Sequence, residues 1–222
     1  MNVLAFDTAT ERCSVALRMD GQLIERSLDT ARSHADRILS MIEAVLGEAG
    51  IALRDVDGIA YGRGPGSFTG VRIAIGVVQG LAFGADLPAV GISDLAAVAQ
   101  QVARPADRIL VCMDARMNEV YWATFVCSPS DGRVVASGIE QVAPPDTVAI
   151  PASALEVAAG TGFAAYPQLR AKFGALALHD SVLPRAAEIA LLGEAELRAG
   201  NGRPAAQAQP VYLRDRVAVA KR

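Results

Sequence analysis

The chain is poor in the residues that carry most hydrolytic and metal chemistry. Its only two histidines, His34 and His179, are far apart in 222 residues, and no His-x-x-x-His or similar spacing exists for zinc or iron. A nucleophile–histidine pair therefore has no sequence support. The three cysteines, Cys13, Cys112 and Cys127, are odd in number and form no Cys-x-x-Cys motif. They fit reduced thiols in a cytoplasmic protein. Basic clusters are also lacking. The balance is 21 bases against 24 acids, a net charge of -3, and the only adjacent basic pair of note is the terminal Lys221-Arg222. A primary nucleic-acid-binding face is not expected from such a pattern. The longest stretches without a charge, Ile73 to Ala85 and Val157 to Leu169, fall short of the roughly 20 apolar residues of a membrane span. The opening Met1-Asn2-Val3-Leu4-Ala5-Phe6-Asp7 has no basic flank and reaches an acid too early for a signal peptide. What is plentiful is apolar surface, 52% of the residues, enough for a sizeable core in a chain near the length at which one core divides into two.

The beginning of the chain repeats. Val3-Leu4-Ala5-Phe6 ends in Asp7, a polar turn leads to Cys13-Ser14-Val15-Ala16-Leu17, and Asp20-Gly21 precedes Gln22-Leu23-Ile24-Glu25. An Asp-Gly pair between such runs signals a hairpin. About half a chain later Ile109-Leu110-Val111-Cys112-Met113 ends in Asp114, Val120–Phe125 follows, and Asp131-Gly132 precedes Val134-Val135. A third echo is glycine-rich: Gly62-Arg63-Gly64-Pro65-Gly66 against Gly160-Thr161-Gly162. Three echoes in one order imply a duplicated α/β unit. The boundary falls near Arg104-Pro105, giving an N-terminal half (1–104) with the glycine-rich loop and a less helical C-terminal half (105–222). Prolines break the second half repeatedly, and Ala186–Arg198 is its clearest helix.

Two helices of the first half stand out. Between a cap at Ser33-x-x-Asp36 and a stop at Gly50, the residues Ala35, Ile38, Leu39, Met41, Ile42, Val45, Leu46 and Ala49 fall within roughly 160° of arc. The next helix, about 69–83, is apolar on nearly every side and carries Gly76, Gly80 and Gly84 on one flat side. Glycine inside a helix costs roughly 1 kcal/mol against alanine, so three of them call for a packing reason. Ile38, Met41, Ile42 and Val45, with Ile75, Gly76 and Gly80, are the candidate interface residues. Periodicity alone does not separate an internal neighbour from an external one.

The most distinctive local motif is Gly62-Arg63-Gly64-Pro65-Gly66-Ser67-Phe68-Thr69-Gly70, which follows an apolar strand and opens a helix. Exposed amides at a helix start favour an anion. Asp7, Gly64, Gly66 and Ser67 are accordingly the candidate residues of a vestigial nucleotide site, and Asp7 or Asp114 could reach a magnesium ion. Neither a P-loop nor a Gly-x-Ser-x-Gly elbow is present. A plain tight turn, with glycine for its backbone angles and Ser67 or Thr69 for capping, explains the motif equally well.

Leu4-Ala5-Phe6-Asp7-Thr8-Ala9-Thr10 with Cys13–Leu17, the Gly64-Pro65-Gly66-Ser67-Phe68-Thr69-Gly70 block, and the closing Pro210-Val211-Tyr212-Leu213-Arg214 resemble the TsaB (YeaZ) family. The resemblance runs over nearly the whole chain. It implies the actin/Hsp70/sugar-kinase (ASKHA) fold of two similar α/β halves, and a part in making threonylcarbamoyladenosine in tRNA. The implied partners are the catalytic homologue TsaD and the ATPase TsaE, with a homodimer when alone and tRNA reached only through the complex. This subunit would need no cofactor of its own, while the complex uses ATP. Where TsaD carries a His-x-x-x-His metal site, the matching positions here hold Asp94 and Val98, so the resemblance implies a scaffold without catalytic or metal-binding residues. Two enzyme readings compete with it: a glycoprotease-like peptidase and a small-molecule kinase of the same fold, which would bind ATP without a partner.

Overall fold

The first strand sets the layering. Leu4 and Phe6 of β1 (Asn2–Asp7) face one way and Val3 and Ala5 the other, and all four are fully buried. A strand apolar on both faces needs cover on both sides. In the computed structural model, which describes residues 1–30, 33–148, 155–173 and 176–214, that cover comes from both halves of the chain.

β2 (Arg12–Met19) returns antiparallel to β1 and turns into β3 (Gln22–Asp29) through Asp20-Gly21, both with positive φ (48° and 85°), the backbone an Asp-Gly hairpin turn requires. After α1 (His34–Ala49), β4 (Gly58–Gly62) joins β1 in parallel, and after α2 (Phe68–Ala85), β5 (Ala89–Ile92) extends the sheet. The order is β3-β2-β1-β4-β5. α3 (Asp94–Val102) then leads into the second half. There β6 (Arg108–Asp114) pairs antiparallel with β7 (Val120–Cys127), which also pairs with β8 (Val134–Ala136) and β9 (Gln141–Ala143). β10 (Val157–Ala159) joins β6 in parallel, the short helices α4 (Gly162–Ala165) and α5 (Pro167–Lys172) follow, and β11 (Ala177–His179) completes the sheet before α6 (Ala186–Arg198). The path β8-β7-β6-β10-β11 repeats β3-β2-β1-β4-β5 strand for strand.

The helices do not respect the division of the strands near Arg104. α3 lies on the second sheet, whereas α6 lies on β1, β2, β4 and β5 of the first. Both sit between the sheets in one shared core, with Leu95, Val98, Ile109, Val111, Ile189 and Leu192 among its members. Ser14 accepts a hydrogen bond from the Ala186 N–H (2.9 Å), and Arg18 pairs with Glu194 at 2.5 Å, so α6 is tied to β2 as well as packed on it. α1 and α2 cover the outer face of the first sheet, and α4 and α5 that of the second.

This packing corrects part of the expected interface. Ile38, Ile42 and Val45 of α1 point into the chain's own core against β2, and Ile75 of α2 is buried beside them. Their arc is centred on the sheet, so only its edges emerge. Gly50 stops α1 in the left-handed conformation, as its position suggests. Ser33, itself left-handed, meets the Asp36 N–H through its carbonyl, not a side-chain cap. Among the described residues α2 is long and apolar enough, by length and composition, to cross a membrane, but its inner face is built into this core. Lys221-Arg222 lie outside the described residues.

Candidate functional site

The glycine-rich loop is stitched to the turn after β1. The Ser67 N–H donates to the Ala9 carbonyl (2.7 Å), the Thr8 hydroxyl donates to the Gly70 carbonyl (2.7 Å), and Ser67 Oγ accepts from the Gly70 N–H (3.3 Å). A Cβ on Gly66 would stand 2.5 Å from the Ala9 carbonyl oxygen, and one on Gly70 2.0 Å from that of Thr8. Glycine is needed here because two backbone segments touch. Of the two readings of this motif, the tight turn with Ser67 capping accounts for the loop without a ligand.

The duplication reaches atomic detail. Asp7 Oδ1 accepts from the Ala9 N–H (2.9 Å), and Asp114 Oδ1 accepts from the Arg116 N–H (2.8 Å), the same two-residue turn at the end of the first strand in each half. The two aspartates then diverge. Asp114 stays at the surface of the cleft, paired with Arg116 (2.9 Å) and accepting from the Tyr166 hydroxyl (2.9 Å). Asp7 is fully buried and faces Asp94, at the first turn of α3, which is equally buried. Asp7 Oδ1 and Asp94 Oδ1 both lie within 2.5 Å of the point a Cβ on Gly62 would occupy, so that glycine makes room for the pair. Asp94 Oδ1 and Oδ2 and Asp7 Oδ2 have no other hydrogen-bond partner. Loss of water pushes the Asp7 carboxyl up to about 6, and loss of water together with the charge of Asp7 pushes Asp94 well above the usual carboxylate range. Both shifts favour the protonated form, and Asp94 is the member of the pair pushed further toward it. Nothing in the sequence connected these two residues, whose contact arises only when β4 brings α3 beside β1.

A cleft of about 1220 Å³ opens between the halves, lined by Thr10, His34, Ser67 and Thr69 from the first and by Asp114, Arg116, Thr161 and Asp180 from the second. Asp7 is absent from its wall, so this carboxylate is not placed to serve a ligand in the cleft, and neither is Gly64, whose carbonyl accepts from the Asp94 N–H (3.1 Å). Gly66 and Ser67 do line it. His34 donates through Nε2 to the Thr10 carbonyl (2.9 Å), which fixes the ring against its own turn. Among the described residues no three His, Cys, Asp or Glu side chains converge on one point. All three thiols are buried, and burial pushes Cys13 up to about 11 and raises Cys112 and Cys127, so none is a ready thiolate.

At the rim of the cleft, the turn from β6 to β7 holds Arg116, Met117 and Asn118 at φ 59°, 54° and 60°. Asparagine tolerates this conformation, whereas arginine and methionine pay about 1–2 kcal/mol each for it. The closing segment Pro210–Arg214, which forms no regular element, crosses to this turn from the first half.

The second feature is the outer face of α2. Nothing lies within 4 Å of where a Cβ on Gly76, Gly80 or Gly84 would stand. Phe83 on this helix is 84% exposed, Leu39 on neighbouring α1 is 50% exposed, and Met41, Ile73 and Val77 are half-buried. Arg72 stacks its guanidinium 3.3 Å above the Phe68 ring at the head of the same face. Of the candidate interface residues, Met41, Gly76 and Gly80 are thus accessible. Leu39 belongs to the α1 arc and Phe83 to the apolar second helix, but neither is among the interface residues expected from the sequence, although both are the more exposed ones.

The family model of TsaD, tRNA N6-adenosine threonylcarbamoyltransferase, matches residues 28–221. The chain is 43% identical over 224 residues to the tRNA threonylcarbamoyladenosine biosynthesis protein TsaB of Escherichia coli, covering 98% of this chain and 96% of that protein. It is 41% identical over 230 residues to TsaB of Haemophilus influenzae, covering 98% and 95% respectively. Among solved structures, a Pseudomonas aeruginosa protein described as similar to the peptidase YEAZ superposes with a TM-score of 0.87 at 45% identity, over 96% of this chain and 99% of that one.

Proposed function

This chain belongs to the TsaB (YeaZ) family, with its duplicated ASKHA fold, and we propose that it is the non-catalytic supporting subunit of tRNA threonylcarbamoyladenosine synthesis. The named relatives support a part in that pathway, and a cytoplasmic location belongs to the same reading. The observation that carries the finer reading is the unpartnered face of α2, flat at Gly76, Gly80 and Gly84 and apolar at Phe83. Such a surface suits a second helix layer of similar shape, because glycine lets two helix backbones approach closely. A homologous subunit carries such a layer. TsaD is the occupant in the working complex, with TsaE as the ATPase, and a second copy of this chain occupies the face when TsaD is absent. The complex consumes ATP and handles tRNA, whereas this subunit contributes the docking surface.

The peptidase and kinase readings find less support. The thiols are buried, the two histidines lie in different halves, and the buried Asp7 is turned away from the cleft.

One face serving two occupants makes them competitors. In sedimentation velocity the isolated chain should run as a dimer. Adding TsaD in equal amount should replace that species with a heterodimer. A larger assembly in which the homodimer contact persists beside TsaD would show that the two occupants use different surfaces.

A further inference from the structure

We infer that the closing segment Pro210–Arg214 is a latch across the cleft, with Arg214 holding the Ala115–Glu119 turn of the second half in its strained left-handed form. The chain is fastened to the first half from Ala208 to Tyr212. Gln79 donates to the Ala208 carbonyl (3.0 Å), the Gln209 N–H to the Tyr61 hydroxyl (3.2 Å), and the Val211 N–H to the Arg63 carbonyl (2.8 Å). The Tyr212 ring lies 5.7 Å from that of Phe68 at the first turn of α2. Beyond this anchor, one guanidinium reaches the other half. Arg214 Nε donates to Glu119 Oε2 (2.9 Å), and its terminal nitrogens donate to the Ala115 carbonyl (3.1 Å), to Met117 Sδ (3.5 Å) and again to Glu119.

These contacts bracket the three left-handed residues, Arg116, Met117 and Asn118. Arginine and methionine have no local preference for that conformation, so something outside the turn must hold it. The turn's own backbone bonds, Ala115 N–H to the Glu119 carbonyl and Glu119 N–H to the Arg116 carbonyl (both 3.0 Å), close the loop without relieving the angles. Arg214 fixes both ends of the loop at once. The fork geometry suits this task, because one planar group satisfies a carboxylate and a carbonyl together. Val211 to Arg214 and Met113 to Arg116 all line the cleft, so releasing the latch loosens both of its walls on that side. Because Tyr212 rests on Phe68, the latch also touches the head of the exposed α2 face.

Hydrogen exchange on the isolated chain tests this without any partner, so its outcome is independent of the scaffold reading. Arg214→Met keeps the apolar stem and removes the fork. Amides of residues 115–120 should then exchange about tenfold faster or more, while those of α6 and of the β1–β4 ladder keep their protection. Adding Met117→Gly, which adopts the left-handed angle without strain, should restore slow exchange to the turn. If Arg214→Met destabilises the whole fold, Met117→Gly alone decides. It should raise the melting temperature of the otherwise unchanged chain, and a fall would overturn the proposal. Exchange at 115–120 that is indifferent to Arg214→Met, or not rescued by Met117→Gly, would overturn it equally.

Discussion

Replacing Asp94 with asparagine should make the protein more stable at neutral pH. Asp7 and Asp94 bind protons more tightly in the folded chain than in the unfolded one, because burial raises both and the charge of Asp7 raises Asp94 further. The native state therefore holds more protons, and stability falls as pH rises. The loss begins near the unfolded value of 3.8, continues through about 6 for Asp7 and extends higher for Asp94. Asparagine keeps the size of the side chain and donates an N–H to Asp7 at every pH. Asp94→Asn should thus flatten the slope and raise the melting temperature at pH 7.5 by about 3–8 °C. Thermal melts of both proteins from pH 4 to pH 8 check this. A variant that melts lower than the parent at pH 7.5 with the same slope would mean that the pair is not sharing a proton.

The second large effect separates the face of α2 from the core beneath α1. Val45 is fully buried against the chain's own sheet, so Val45→Glu places an unpaired carboxylate in the core, at a cost of several kcal/mol. That variant should unfold. Gly80→Glu should do the opposite. Open space surrounds the position, and replacing a mid-helix glycine should stabilise the monomer by about 0.5–1 kcal/mol. In a covered interface, however, the same carboxylate has neither room nor partner, and self-association should weaken by about 100-fold or more. Circular dichroism and sedimentation velocity, run together on both variants, distinguish the two cases. A folded Gly80→Glu protein that dimerises like the parent would move the interface off α2.

The duplicated halves were legible in the sequence because each half begins with the same local chemistry. A strand ends in aspartate, the aspartate turns the chain, and glycines let the next loop press against that turn. The helix α6 was legible for its length but not for its destination, since nothing between Ala186 and Arg198 says which sheet it covers. The α1 arc misled for a related reason. Ile38, Ile42 and Val45 mark its inward centre, and the residues left for a partner are at its margins, where Leu39 looks no different in sequence from its buried neighbours. Asp7 reads as a candidate nucleotide or magnesium contact or an ordinary turn residue, and Asp94 only as the residue at the position of a TsaD metal histidine. Their pairing depends on the register of β1, β4 and β5, which only the folded sheet sets. The latch escaped notice because Pro210–Arg214 adopts no periodic structure, and left-handed angles at Arg116 and Met117 have no signature in residue type.

On the function proposed above, this chain supports the modification of tRNA through its α2 face and leaves the chemistry to TsaD. Threonylcarbamoyl transfer to tRNA can be measured in a reconstituted mixture. The chain with tRNA and the threonylcarbamoyl donor should yield nothing. Adding TsaD, TsaE and ATP should produce modified tRNA, and substituting the folded Gly80→Glu variant should abolish most of that activity. Modified tRNA formed by this chain and the donor in the absence of TsaD would contradict the account.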